Sequence, residues 1–146
     1  MSRNSTLPLL ALGFLLALPA LAKDPVFSAG GFAIRGYDPV AYFEAATPTK
    51  GDDAFQHRWM GATWLFASQE NRDAFAAEPE RFAPRFGGYC AYAVSRGSTA
   101  STDPEAWRIV DGRLYLNYSR RIQSKWLKDV PGNIAKAEAN WPGVLK

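Results

Sequence analysis

The sequence predicts an α+β fold, a compact single domain with two short antiparallel β-hairpins and four to five short helices. Two turn sequences, Gly61-Ala62 and Asp111-Gly112, each lie between aromatic and β-branched residues, which is typical of β-hairpins. Capping residues stand before amphipathic runs that end at proline or glycine, which predicts short helices. Five Trp, six Tyr and nine Phe supply large apolar side chains for one core.

The first 22 residues have the features of a secretory signal peptide. Arg3 precedes an apolar run from Leu7 to Leu18, and Pro19 to Ala22 end in a small-x-small cleavage pattern. The apolar run is shorter than the ~20 residues that a membrane-spanning helix needs, so we expect cleavage after Ala22. The predicted division of the chain is a signal peptide over 1–22, a leader over 23–31 and the domain over 32–146.

The composition excludes some classes of function. The formal net charge is only +3, and lysine and arginine are spread along the chain, so we expect no nucleic-acid partner. No later apolar run has the ~20 residues of a spanning helix, so we expect no membrane span after cleavage. Cys90 is the only cysteine, so no disulfide can form within the chain. We expect the protein to be periplasmic or secreted, where disulfides are otherwise common. The sequence leaves the oligomeric state open.

The first half of the domain is predicted to contain a strand, two helices and a hairpin. Asp38 before Pro39 is typical of a helix start, and Ser68 is a good cap for a second helix that ends before Pro79. In chain order we predict a strand over 32–34, one or two helical turns within 37–43, a loop over 46–53, a hairpin over 55–66, a helix from Ser68 to about Ala77, and turns and 3₁₀ structure over 79–86.

The second half is predicted to contain a hairpin and three helices. Ser119 is a good cap for a helix that stops at Pro131-Gly132. This helix is amphipathic, because Ile122 and Trp126 lie four residues apart on one face. In chain order we predict a helix over 89–96 closed by Gly97, a loop over 98–103, a hairpin over 107–117, a helix from Ser119 to about Lys128 and a helix over 133–140.

The two halves resemble each other at a fixed offset. A shift of 51 residues aligns two glycine turns, two serine caps and two helix aromatics: Gly61 with Gly112, Trp64 with Tyr115, Leu65 with Leu116, Ser68 with Ser119, and Phe75 with Trp126. A shift of 52 aligns Gly36-Tyr37 with Gly88-Tyr89, which places Asp38 opposite Cys90. An internal pseudo-repeat would let Tyr37-Asp38 and Tyr89-Cys90 line a common cleft between the halves.

These residues carry a resemblance to a known family. The chain resembles YHS-domain proteins, in particular a secreted bacterial subfamily, over segments spread through the mature chain: Gly36 to Phe43, Trp64 to Ser68, Phe75, Pro79, Phe82, Gly87 to Ala91, Leu114 to Tyr118, and Trp141-Pro142. The resemblance implies that some members place selenocysteine at the position of Cys90. It also implies that short YHS domains bind metal through cysteines.

The cysteines of those short domains are absent here. The resemblance places one after Asp-Pro-Val, where this chain has Ala41, and others at the end of the hairpin, where it has Ala67, Ser68 and Asn71. A structural zinc site with four thiolates is therefore impossible. The remaining candidate ligands for a copper or zinc ion are Cys90, His57 and Asp38, whose donor types suit either metal.

Three functions stay open. A binding module of the YHS type would hold a metal ion or small ligand at a cleft centred on Cys90, with Tyr37, Asp38, Tyr89 and Tyr92 as its lining. A thiol-dependent redox enzyme would use Cys90 as its nucleophile, activated by a helix N-terminus. A structural or partner-binding domain would bury Cys90 as a small apolar residue. We favour the binding module, and an enzyme is the less favoured alternative.

Overall fold

A computed structural model describes Pro8, Ala11, residues 13–16 and residues 23–146. Most of the predicted signal peptide, 1–22, lies outside the described residues, so its cleavage stays a prediction. Over the described ranges, no helix has the length and hydropathy needed to cross a membrane.

The described residues confirm the predicted α+β class. The strands are β1 (Ser28–Ala29), β2 (Phe32–Ala33), β3 (Asp52–Trp59), β4 (Ala62–Phe66), β5 (Asp103–Val110) and β6 (Arg113–Asn117). The α-helices are α1 (Ala41–Glu44), α2 (Gln69–Ala77), α3 (Pro79–Phe82), α4 (Ala91–Ser95), α5 (Arg120–Trp126) and α6 (Val130–Asn140). Four 3₁₀ segments cover Ile34–Gly36, Arg85–Gly88, Leu127–Asp129 and Gly143–Leu145.

The strands form two separate sheets. One has four strands in the order β1-β2-β4-β3, in which β2 runs parallel to β4 and the other pairs are antiparallel. The second sheet is the β5–β6 hairpin alone. Both predicted hairpins are therefore present, and the leader contributes β1, which the sequence did not predict.

Several element boundaries differ from the prediction. β3 begins at Asp52 and β5 at Asp103, three and four residues before the predicted hairpins. Two other differences have local reasons. The strand predicted over 32–34 stops at Ala33, because Ile34 adopts a φ of 49° and begins a 3₁₀ turn. The last helix begins at Val130 rather than at residue 133. Asp129 caps it by accepting a hydrogen bond from the Gly132 amide, and proline at the start of a helix loses no hydrogen bond, so Pro131 belongs to α6 rather than ending α5.

The structure reproduces the predicted repeat down to strand register. His57 pairs with Trp64 in the first hairpin and Arg108 pairs with Tyr115 in the second, an offset of 51 on both strands. The irregularity in register lies between Asp52 and Gln56 in β3 and at the same offset in β5. The two halves are thus copies of one supersecondary unit.

The core consists of two clusters. The first lies mostly in the first half but includes Leu114 and Leu116 of β6, and the second contains the aromatic pair of the second half. Trp64 packs on Phe75 in the first cluster with ring centroids 4.9 Å apart and an interplanar angle of 34°. The equivalent pair in the second cluster, Tyr115 and Trp126, has centroids 5.4 Å apart and an angle of 36°. All four side chains are almost fully buried, so each half packs its hairpin against its helix in the same way.

Candidate functional site

Asp38 is completely buried and acts as an internal acceptor. Its Oδ1 accepts hydrogen bonds from the backbone amides of Val40 (2.8 Å) and Ala41 (3.3 Å) at the start of α1. Its Oδ2 accepts from the amide of Ala67 (2.9 Å) and from Nδ2 of Asn71 (2.8 Å). The carboxylate therefore joins α1 to the end of the first hairpin and the start of α2.

Cys90 is also buried, with 1 % of its surface exposed. Its Sγ accepts a hydrogen bond from the Tyr118 amide (3.2 Å) and lies 3.5 Å from Oδ1 of Asn117, to which the thiol can donate. That oxygen also accepts from the Tyr92 amide (3.0 Å), which fixes the orientation of the Asn117 side chain. The thiol thus links α4 to the end of the second hairpin.

Asp38 and Cys90 occupy equivalent places in the two halves, as the repeat predicts. The amides that reach them, of Ala67 and Tyr118, are 51 residues apart. Three consecutive residues with positive φ precede each segment: Ile34, Arg35 and Gly36 in the first half, and Phe86, Gly87 and Gly88 in the second. The same backbone path therefore delivers a carboxylate in one half and a thiol in the other.

The bonds of the two residues stay within their own halves. The partners of Asp38 lie between residues 40 and 71, and those of Cys90 lie between residues 94 and 118. These contacts give no support to a common cleft lined by both segments. A ligand-binding role for Asp38 or Cys90 stays a prediction.

The three candidate tyrosines have different surroundings. Tyr89 is nearly buried and donates its hydroxyl to the Asp24 carbonyl (2.8 Å); burial and the nearby Asp24 carboxylate raise its pKa. The Tyr92 hydroxyl accepts a hydrogen bond from Nη2 of Arg96 (2.9 Å), beside a surface pocket. Tyr37 is half-buried against the first core cluster. The predicted lining residues therefore do not share one site.

The copper or zinc site predicted from Cys90, His57 and Asp38 is not formed. Within the described part of the chain, no three His, Cys, Asp or Glu side chains are arranged to hold a metal ion. Both oxygens of Asp38 are taken up by N–H donors, and His57 lies on β3 with its ring 6.0 Å from that of Phe75. The sequence contains suitable donor types, but the fold does not bring them together.

A cleft of about 500 Å³ does lie between the two halves. The first half contributes Trp59, Met60 and Trp64 from the turn end of its hairpin. Trp141 lies on the opposite side, and its ring is 5.9 Å from that of Phe86. The cleft is therefore lined by aromatic rings that belong to both core clusters.

Charged side chains complete this inter-half cleft. Arg85 and Arg113 lie in its wall together with Glu80. Nε of Arg85 is buried and has no hydrogen-bond partner among the residues described, while its Nη2 is 3.9 Å from the Glu138 carboxylate. Arg113 is exposed at the start of β6. The cleft thus combines an aromatic surface with a surplus of positive charge.

The first half carries a recognisable family sequence. Residues 40–86 match the YHS domain. The matched residues run from the start of α1 to Phe86, so they comprise less than half of the chain and end before Cys90. No curated protein and no solved structure matches the chain.

The YHS match supplies one wall of the inter-half cleft. Trp59, Met60 and Trp64 lie within the matched residues, whereas Arg113 and Trp141 lie beyond them. The second half supplies Arg113 and Trp141, so the cleft is formed by both halves of the chain.

Sequence reasoning missed the residues that line the cleft. It assigned the tryptophans to the core and the arginines to a solvated surface. A usable indication was present, because Trp59 and Arg113 stand beside the two hairpin turns and those turns occupy equivalent places in the repeat. Two related hairpins packed against each other can bring both turn ends to one cleft.

Proposed function

We propose that the protein is a secreted binding module of the YHS type that holds a small organic anion in the inter-half cleft. The observation that carries this proposal is the combination, in one cavity, of aromatic rings with the guanidinium side chains of Arg85 and Arg113. At about 500 Å³ the cavity has the size typical of small-molecule sites, which are mostly apolar with a few placed polar groups.

The aromatic walls define the body of the ligand. Trp59, Trp64 and Trp141 offer ring faces and edges, which pack best on a flat apolar group. A planar aromatic ring system would bury its surface against them. Met60, 51 % exposed at the rim, is unbranched and can adjust to ligands of different outline.

The arginines define the charge of the ligand. A ligand carboxylate would pair with the guanidinium of Arg85, whose ion pair with Glu138 is long at 3.9 Å. Charge-assisted bonds between guanidinium and carboxylate are short and strong, and Arg113 can add a second contact. The Glu80 carboxylate in the same wall would repel further negative charge, which favours a ligand with a single carboxylate.

The residues that lead to Cys90 form part of the cleft wall. Gly87, three residues before Cys90, lies in the cleft wall, and its carbonyl accepts the Phe27 amide (2.9 Å). The burial and hydrogen bonds of Cys90 favour a structural role for its side chain over that of a redox nucleophile. The resemblance to the secreted subfamily with cysteine or selenocysteine here is retained as part of the proposal.

The binding test uses 2-naphthoate as the anionic probe and 2-naphthalenemethanol as its neutral counterpart. We expect calorimetric titration to give one saturable site for naphthoate and at least tenfold weaker binding of the alcohol. Arg113→Gln should weaken naphthoate binding by tenfold or more, because it removes one of the two cations. Arg121→Gln, with the same charge change on an exposed residue outside the cleft, should bind like wild type.

Three results would refute the proposed ligand or its site. Absence of saturable binding by either probe would remove the cleft as a site for aromatic molecules. Equal binding of both probes would remove the anionic requirement. Equal losses in Arg113→Gln and Arg121→Gln would show that only the net charge of the protein matters.

Export is tested separately. We expect the protein recovered from the periplasm or medium of an expressing bacterium to begin at Lys23. N-terminal sequencing or intact mass measures this directly. A protein that retains residues 1–22, or one found only in the cytoplasm, would contradict the proposed secretion.

A further inference from the structure

A second pocket, of about 450 Å³, lies among α4, α5 and α6, away from the inter-half cleft. Four basic side chains line it: Arg96 after α4, Lys125 in α5, Lys128 between the helices and Lys136 in α6. They come from four places in the chain, and α4 contacts both other helices. We refer to this site as the basic pocket.

The basic pocket holds an excess of positive charge. Its one carboxylate belongs to Asp129, and Oδ1 of that side chain already accepts the Gly132 amide (3.0 Å). Four cations against one carboxylate leave a local surplus of three, which equals the formal net charge of the whole chain. The rest of the protein is therefore balanced overall, and the surplus is concentrated here.

None of these cations forms an ion pair with a carboxylate in the part of the chain that the structure describes. Over the described ranges, the ion pairs involve Arg72, Arg81, Arg85 and Arg120, and none involves a cation of the basic pocket. Like charges that share a concave surface repel each other, with an energy that falls with distance and with salt. An anion with several negative charges would turn this repulsion into attraction.

One cation is held in place by its neighbours. Nη2 of Arg96 donates to the Tyr92 hydroxyl (2.9 Å), and its guanidinium lies 5.0 Å from the centre of the Tyr92 ring. A guanidinium positioned in this way presents its remaining N–H groups in fixed directions, which suits a phosphate or carboxylate group. The three lysines supply mobile point charges around it.

We propose that the basic pocket binds a phosphate group with at least two negative charges, carried by a small molecule or by a lipid headgroup. The charge surplus selects the anion, and Arg96 provides the directed contact. The pocket has room for more than one phosphate group, so a diphosphate is the suitable probe. This site is independent of the ligand in the inter-half cleft.

The test is a calorimetric titration of the full protein with pyrophosphate at low ionic strength. We expect one saturable site whose affinity falls as salt is added. The double variant Lys125→Gln/Lys128→Gln should bind at least tenfold more weakly. The double variant Arg108→Gln/Arg121→Gln removes two exposed cations elsewhere, and its affinity should stay within about threefold of wild type.

A second arm distinguishes the source of the phosphate. If the group is a lipid headgroup, flotation should show binding to phosphatidylglycerol vesicles but not to phosphatidylcholine vesicles. The double variant Lys125→Gln/Lys128→Gln should abolish that binding. Circular dichroism checks the fold, and Lys136→Gln replaces the double variant if that protein unfolds. Binding of neither probe, or equal losses in both double variants, overturns the proposal.

Discussion

Asp38 and Cys90 show how one backbone position can serve two chemistries. Each residue follows a run of three positive φ angles and a tyrosine, and each receives a backbone amide from the end of its hairpin. Asp38 accepts four hydrogen bonds, so a charged carboxylate can be buried there at acceptable cost. The thiol of Cys90 forms fewer hydrogen bonds, and its two partners are the Tyr118 amide and Oδ1 of Asn117.

Removal of the Asp38 carboxylate should be strongly destabilising. Asp38→Ala leaves four N–H donors without an acceptor, two from buried and two from partly buried hydrogen bonds, and we expect a loss of about 3–5 kcal/mol in the free energy of unfolding. Asp53→Ala, at an exposed carboxylate, should change it by less than about 0.5 kcal/mol. Urea unfolding measures both values, and similar values for the two variants would contradict this account of Asp38.

The Cys90 thiol should be protected from reagents in the folded protein. Only 1 % of its surface is exposed and its sulfur is engaged on both sides. We expect iodoacetamide to label it in denaturant but to leave native protein almost unlabelled over the same period, as measured by intact mass. Rapid stoichiometric labelling of native protein would restore the redox enzyme as a candidate.

At the scale of elements, each half is built by a hairpin followed by a capped helix. Oγ of Ser68 accepts the Asn71 amide (3.2 Å), and Oγ of Ser119 accepts the Ile122 amide (3.1 Å). Side-chain caps of this kind fix where a helix begins. The hairpin and helix of each half are thereby set in one relative position, which explains the equal packing of their aromatic pairs.

The two caps should therefore contribute equally to stability. Ser68→Ala and Ser119→Ala should each lower the free energy of unfolding by about 1 kcal/mol. Their effects should add in the double variant, because the sites are separate. Ser124→Ala, in the interior of α5, serves as control and should cost less, since alanine is the better helix former. A large difference between the two caps would argue against equivalent halves.

At the scale of the whole molecule, hydrogen bonds join the halves on the side of the first core cluster. The Tyr42 hydroxyl donates to the Pro104 carbonyl (2.8 Å), and Nε of Arg35 donates to the Thr102 carbonyl (2.9 Å). Tyr42 is 1 % exposed, and burial, followed by the nearby Glu105 carboxylate, raises its pKa well above the usual 10.0. The neutral phenol is therefore part of the contact between the halves.

This contact predicts a loss of stability at alkaline pH. The raised pKa means that only the unfolded state releases the Tyr42 proton just above pH 10, so stability falls there by about 1.4 kcal/mol per pH unit from this group. Tyr42→Phe should cost about 1 kcal/mol at pH 8, and its deficit should shrink between pH 10 and pH 11. Urea unfolding at each pH measures the gap, and a constant gap would contradict the prediction.

The sequence predicts the elements and the repeat because these depend on local patterns. Glycine turns, serine caps and helix aromatics are all visible within short windows, and the offset of 51 follows from them. The site depends on distant residues, such as Trp59 and Arg113, that line the same cleft, and no local pattern specifies this. The donor types of Cys90, His57 and Asp38 suggested a metal site. In the structure Asp38 and Cys90 are buried in separate sets of hydrogen bonds, and the three side chains do not come together.

The central claim is that the ligand lies between the two halves, on the aromatic rings and next to Arg85. A crystal structure of the protein with 2-naphthoate tests it most directly. We predict the naphthalene ring between Trp59 and Trp141, with a carboxylate oxygen about 3 Å from a guanidinium nitrogen of Arg85. A naphthoate bound at the Cys90 segment, or an inter-half cleft that stays empty while naphthoate binds elsewhere, would contradict the claim.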